Sequence, residues 1–439
     1  MSHITKLSSL SYCFRLVVLS MVVLFFHGCA VITGMREKPS LFPLYPENYL
    51  ERNEFSVSKG DNVIGRLAIM KLEKGDTLPD VARHFGVGIN AITSANPGID
   101  LWVPAGGEPV MLPLSFTLPD TIRKGIVINV AAMRLFQFKG DGNSSVVSTY
   151  PVGVGTAERP TPTGQMHVAR KVTRPTWHVP ASIAEDHRKK GDPLPAKVPP
   201  GPLNPLGEYA LYLSKSTYLI HGTNKPASIG LKATNGCIRL YPEHIEKLYA
   251  ETPVKTPVSI VNQPYLVGQR NGVVYLEAHT PFEGQGNVDL EKVYTKLRKI
   301  EKEFERTLDW DKVKKILVEA RGIPVPLLEI SQGSKKGITD IIQVTHPEKL
   351  FGKPEIPELK IDAWYVLAAH VRDKTDAARL AAIINHQGPQ IPATIVSVSD
   401  RHRVMAGPFN DIQEAKDAAK RLKIDLDIDG ILVEPIKKK

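Results

Sequence analysis

Ile220-His221-Gly222-Thr223-Asn224-Lys225-Pro226 and, a short gap later, Thr234-Asn235-Gly236-Cys237-Ile238-Arg239-Leu240 decide the reading of this chain. Both halves lie among strand signals. Gly125 to Ala131, Leu135 to Phe138, Val146 to Pro151, Gly164 to Val172, Tyr209 to Leu213, Tyr218 to Ile220 and Val258 to Val261 are short runs of β-branched and aromatic residues. Turn residues such as Gly140-Asp141-Gly142-Asn143 and Pro160-Thr161-Pro162-Thr163-Gly164 separate them. Many short strands at this spacing predict a sandwich or barrel, with one helix near Pro242 to Ala250.

The chain has three cysteines: Cys13, Cys29 and Cys237. Lys6 and Arg15 precede the apolar run Leu16 to Phe26, which is too short to span a bilayer and suits the core of an export signal. Removal of residues 1–29 leaves Cys237 without a partner in its own chain, so its thiol is either packing or a chemical tool. A thiol attacks as thiolate and needs a base, a cation and donors for a developing oxyanion. His221 can take the proton and Cys237 can attack. The amides near Gly236 and Cys237 can face the oxyanion, and Arg239, two residues on in an extended segment, shares the cysteine's side. His178, His187 and His244 lack such neighbours and read as surface or core residues.

These residues resemble the L,D-transpeptidase catalytic domain of the YkuD type over residues 125–263, whose pattern is His-Gly-Thr-Asn, a gap, then Ser/Thr-x-Gly-Cys-Ile-Arg. Here the histidine and cysteine are sixteen positions apart. The resemblance implies Cys237 as nucleophile, His221 as general base and the Gly222 carbonyl as the group orienting the imidazole. Thr234, Asn235, Gly236 and Arg239 would hold oxyanion and substrate. Asn235 stands where many members carry an auxiliary histidine, and an amide there could donate a hydrogen bond. The implied reaction is acyl transfer from the third stem-peptide residue of a peptidoglycan tetrapeptide, with release of D-alanine and capture by an amine to give a 3→3 crosslink. Attachment of a lipoprotein lysine and hydrolysis are the alternative outcomes, and a silent wall-binding scaffold is the reading from another class. No metal or organic cofactor is expected, since no His-x-x-x-His or paired-cysteine set occurs. Trp177 and the proline-rich stretch Lys189 to Gly207 resemble the insert that covers the cleft in this family.

Outside that domain, residues 66–114 read strand, helix, helix, strand. Gly75-Asp76-Thr77-Leu78, Val81-Ala82 and Asn96-Pro97-Gly98 resemble a LysM module, which implies binding to peptidoglycan glycan. Leu290, Val293, Leu297, Ile300, Phe304 and Leu308 mark an amphipathic helix inside 264–359, read as a helical spacer and linker. Residues 360–437 read βαββαβ and, with Val404-Met405-Ala406-Gly407-Pro408-Phe409, resemble a SPOR domain, which implies binding to glycan strands stripped of stem peptides and enrichment at the septum. The expected architecture is multidomain: a mainly β catalytic domain plus a small βααβ module and an α+β module, with 30–65 as a leader.

Gly28-Cys29 resembles a lipobox, which implies lipidation of Cys29 and, with Ala30 following, outer-membrane anchoring in the periplasm; a plain secretory signal or an uncleaved anchor is the alternative. Net charge is +10, from 56 basic and 46 acidic residues, with Lys437-Lys438-Lys439 supplying three. An exported chain meets anionic lipid or wall carboxylates before nucleic acid, so no nucleic-acid partner is expected. The expected partners are stem peptides, glycan strands and an outer-membrane lipoprotein as a second acceptor, with membrane contact only through the anchor and a monomer in solution.

Overall fold

The computed structural model describes residues 44–140, 145–189, 191–215, 217–282, 290–330 and 341–436. The export signal, Cys13 and Cys29 lie outside the described residues. No helix among the described residues is long and apolar enough to cross a membrane.

The leader contributes β1 (Glu54–Val57) and β2 (Val63–Gly65) before the βααβ unit begins. That unit runs β3 (Ala68–Lys71), α1 (Leu78–His84), α2 (Ile89–Ala95) and β4 (Pro109–Leu112). Local chemistry sets its corners. Thr77 caps α1 by accepting from the Asp80 amide, and Pro79 occupies a first-turn position where no amide is needed. Asn96 stitches α2 to β4: its Nδ2 donates to Ile92 O and Met111 O, each at 2.8 Å, while its Oδ1 accepts from Met111 N. Leu78, Val81, Phe85, Ile92, Val110 and Leu112 fill the core between them.

After β5 (Ser115–Thr117), which pairs with β2, the main sheet starts. In chain order come β6 (Gly125–Asn129), β7 (Arg134–Lys139), β8 (Ser145–Pro151), β9 (Val154–Gly155, which pairs outside this sheet with Lys232–Thr234) and β10 (Gly164–Thr173). An insert with α3 (Ala181–Lys189) precedes β11 (Tyr209–Leu213) and β12 (Leu219–His221). Then come β13 (Lys232–Thr234), β14 (Ile238–Arg239), α4 (Pro242–Glu251) and β15 (Pro257–Val261). Nine strands pair in the order β14-β12-β11-β10-β15-β6-β7-β8-β1, so the leader strand closes one edge and the Ile238–Arg239 strand the other. The β12–β14 and β15–β6 pairs are parallel. Ile126 and Ile128 face a core shared with Leu211, Ile220, Ile238, Ile245 and Leu248, while Val127 joins Phe55, Phe116 and Phe136 on the opposite side. Burial on both faces explains why β6 is continuously apolar.

The stretch read as a helical spacer holds more than helices. β16 (Tyr265–Arg270), β17 (Val273–Ala278), α5 (Leu290–Phe304), α6 (Trp310–Glu319) and β18 (Val325–Glu329) build a three-stranded sheet covered by two helices around Val274, Leu276, Leu297, Val313 and Ile316. Beyond it β19 (Ile342–Val344) adds a parallel strand to β3 of the βααβ unit.

The last unit runs β20 (Trp364–Val371), α7 (Lys374–Asn385), β21 (Ala393–Val398), β22 (Arg401–Phe409), α8 (Ile412–Leu426) and β23 (Ile431–Val433). Its sheet has the order β21-β22-β20-β23. Polar contacts join the units. Arg83 donates to Glu243 of α4 from Nε at 3.1 Å and Nη2 at 3.0 Å, and the Tyr241 hydroxyl donates to Val87 O at 3.2 Å. His386, which follows the last residue of α7, meets Asp80 at 3.0 Å, and Arg379 of α7 meets Asp100 at 2.8 Å.

Candidate active site

The parallel pairing of β12 with β14 sets Ile220 opposite Ile238 and His221 opposite Arg239. Both isoleucines are fully buried in the core under the sheet. Side chains alternate along a strand, so Leu219, His221, Cys237 and Arg239 project from the other face. The two sequence halves thus meet as neighbours, with Cys237 one pleat before Arg239 and diagonal to His221.

Each group has a defined environment. The His221 ring is buried, and its Nδ1 lies 2.7 Å from Gly222 O. A carbonyl only accepts, so Nδ1 carries the proton and Nε2 keeps its lone pair. Burial first, and the nearby Arg239 charge second, lower the imidazole pKa to about 3, against the opposing pull of the Gly222 and Leu206 carbonyls. Gly222 fits tightly: a Cβ there would lie 3.1 Å from Ile245 Cγ2 and 3.3 Å from Leu206 O.

Cys237 is half-buried, with Sγ 3.8 Å from Thr217 O. Burial raises its thiol pKa, while the Leu219 amide and Arg239 favour the thiolate. Gly236 has φ +97°, and a Cβ there would stand 2.7 Å from Tyr218 Cε1 and 3.2 Å from Pro160 O, so the tight approach to Cys237 needs glycine. The Thr234 hydroxyl donates to Cys237 O at 2.6 Å and accepts the Gly236 amide at 3.2 Å. One of the two amides expected at an oxyanion is therefore engaged locally. The Cys237 amide meets no acceptor among the described residues. Arg239 donates from Nη1 to Ser228 Oγ at 2.9 Å and pairs with no carboxylate among the described residues.

Asn235 is turned outward rather than toward the thiol. Its Oδ1 accepts from Arg159 Nη1, and Arg159 Nη2 reaches Asp186 of α3 at 2.8 Å. Sequence reasoning missed Arg159 and Asp186, because nothing in the local pattern marks a surface arginine as a bridge. It also missed Asn204, which ties the base of the insert by donating to Pro175 O at 2.8 Å and accepting from Leu206 N at 2.9 Å. Within the insert Trp177 pairs with Val198. His244 is a core residue between the Tyr150 and Tyr241 rings. The C-terminal unit borders the same region: Lys225 pairs with Asp425 and Lys420 with Asp192, each at 3.1 Å. No cluster of three or more potential metal ligands occurs among the described residues.

Residues 123–260 match the family model of the L,D-transpeptidase catalytic domain, and residues 361–434 match that of the SPOR domain. The chain is similar to the probable L,D-transpeptidase ErfK/SrfK of Escherichia coli strain K12, 39% identical over 227 residues, which are 51% of this chain and 72% of that protein. It is similar to the probable L,D-transpeptidase ErfK/SrfK of Salmonella typhimurium at 35% identity over 301 residues, 64% of this chain and 96% of that protein. Among solved structures, an L,D-transpeptidase from Mycobacterium smegmatis aligns at 21% identity, covering 36% of this chain and 64% of that one, with a TM-score of 0.24. With 35% identity over 96% of the Salmonella protein and 39% over 72% of the Escherichia coli one, the chain belongs to the L,D-transpeptidase family, and it carries a SPOR domain.

Proposed function

We propose that this protein is a peptidoglycan L,D-transpeptidase with Cys237 as nucleophile and His221 as general base. The observation that carries the reading is the register of β12 against β14, which sets imidazole, thiol and guanidinium on one face while Ile220 and Ile238 anchor the other. At rest the pair is a neutral imidazole and a thiol, because burial disfavours the charged form of each. The proton therefore moves as the sulfur attacks.

Sγ bonds to the carbonyl carbon of the third stem-peptide residue, and His221 Nε2 takes the thiol proton. The tetrahedral oxygen is met by the Cys237 amide, which has no acceptor of its own among the described residues. The C–N bond to D-alanine breaks as His221 returns the proton to that nitrogen. An acceptor amine then attacks the thioester, loses its proton to His221, and releases the thiol, which is reprotonated. Arg239 has no carboxylate partner among the described residues and stands beside this chemistry, suited to an anionic group on the substrate.

The SPOR domain and the LysM-like βααβ unit are proposed to hold glycan strands, raising the local concentration of stem peptides. The setting is the periplasmic wall, with septal enrichment through the SPOR domain and a lipid anchor at Cys29. Incubation of the purified protein with a tetrapeptide donor tests the reaction. D-alanine release with a 3→3 dimer supports it; unchanged tetrapeptide, or equal turnover by Cys237→Ala, refutes it. The same mixture supplied with a lipoprotein or with water alone identifies the acceptor.

A further inference from the structure

Arg159 occupies an unusual place at the site. It lies on the loop between β9 and β10, which packs onto the nucleophile segment: Thr156 N donates to Thr234 O at 3.0 Å, and Pro160 O sits against Gly236. Its backbone is fixed by the Arg159 amide donating to Thr156 Oγ1 at 3.2 Å and by the buried Thr161, which accepts from Gly155 N at 2.9 Å. From this anchored base the guanidinium divides its donors. One nitrogen holds Asn235, two residues before the thiol, and the other holds Asp186 on α3 of the insert.

The two contacts differ in kind. Asn235 is neutral and belongs to the nucleophile segment, whereas Asp186 is a carboxylate on a separate insert. The Arg159 and Asp186 side chains are 37% and 47% exposed, so water competes for their pair and it contributes little stability. Planar guanidinium accepts any carboxylate of matching geometry in a two-point contact.

We propose that Arg159 is a substrate-specificity residue that receives the C-terminal carboxylate of the donor peptide in exchange for Asp186. This inference rests on the transpeptidase reading. In the free protein Asp186 occupies the guanidinium and draws α3 toward the nucleophile segment. The incoming carboxylate displaces Asp186, Asn235 keeps the guanidinium aimed, and the insert is released from that contact. Arg239 is not equivalent, because Ser228 fastens it deep on the strand face.

The test compares a tetrapeptide donor ending in a carboxylate with the same peptide ending in a carboxamide, by D-alanine or D-alaninamide release. Wild type is expected to prefer the carboxylate by about tenfold in kcat/KM, the low end for a charge-assisted contact at a half-exposed position. Arg159→Gln should lose that preference, mainly through KM, while alkylation of Cys237 by iodoacetamide stays unchanged. Asp186→Asn removes the competitor and should lower KM for the carboxylate donor severalfold. If the pair merely fastens the insert, both substitutions raise KM, and that result overturns the exchange. A preserved carboxylate preference in Arg159→Gln overturns it as well. A wild-type protein that releases neither product from either donor defeats the transpeptidase reading, and the exchange with it.

Discussion

His221 and Arg239 are register partners across the parallel β12–β14 pair, and the guanidinium reinforces burial in keeping the imidazole uncharged, with a pKa of about 3. A base that remains neutral through the mildly acidic range should give a kcat/KM profile without a histidine-protonation limb between pH 5 and 8. Arg239→Gln removes the opposing charge. Its acid limb should therefore move to higher pH than in wild type, measured by D-alanine release across pH 4 to 9.

Three buried histidines make the fold acid-sensitive. Burial lowers His84 and His244 to about 4 and His221 to about 3, while each regains an ordinary value near 6.5 on unfolding. Below pH 6.5 the unfolded chain binds protons that the folded chain does not, so stability is fully present above 6.5 and falls progressively toward pH 3. The loss across that window should be several kcal/mol, on the order of 2 or more per histidine. Thermal unfolding at pH 7, 5.5 and 4.5 should show a steady decline, flatter in His244→Gln.

Gly236→Ala should cripple turnover more than folding. The new methyl meets Tyr218 and Pro160 O at a positive φ, so the backbone leading to Cys237 must shift. A drop in kcat of about 100-fold is expected, since small misplacements of reacting groups are that costly. The melting temperature should fall by only a few degrees. A variant with unchanged kcat would show that this glycine does not set the thiol's position.

Gly388 seats the C-terminal unit on the loop that follows His221. A Cβ there would fall 1.7 Å from Asn224 O, a backbone atom that cannot swing aside. Gly388→Ala should therefore loosen the SPOR domain from the loop and weaken the Lys225–Asp425 and Lys420–Asp192 pairs. Faster limited proteolysis between residues 345 and 361 and a larger radius in solution scattering would report it. Turnover of a soluble tetrapeptide should persist, because none of the reacting groups belongs to that unit.

The family was legible because its chemistry is local: His221-Gly222 and Gly236-Cys237-Ile238-Arg239 are contiguous motifs whose residue types have few other reasons to occur together. The SPOR domain was legible by resemblance, through the βαββαβ order of its elements and the hairpin exit Val404-Met405-Ala406-Gly407-Pro408-Phe409. What escaped is one local hairpin and several pairings at a distance. β16 and β17 are joined through Asn271-Gly272, both at positive φ, a turn pair whose sequence is a strong hairpin signal and was available to be read. β19 carried no such mark, since three residues become a strand only by meeting β3 from about 270 positions away. The outward turn of Asn235 likewise depends on Arg159, 76 residues distant in the chain.

Intact-mass spectrometry of the full chain mixed with a tetrapeptide donor and quenched in acid tests the central claim most directly. The account predicts a tripeptide-acyl adduct on Cys237, one D-alanine released per adduct, and loss of both in Cys237→Ala. An adduct on another residue, or D-alanine release that survives Cys237→Ala, would contradict it.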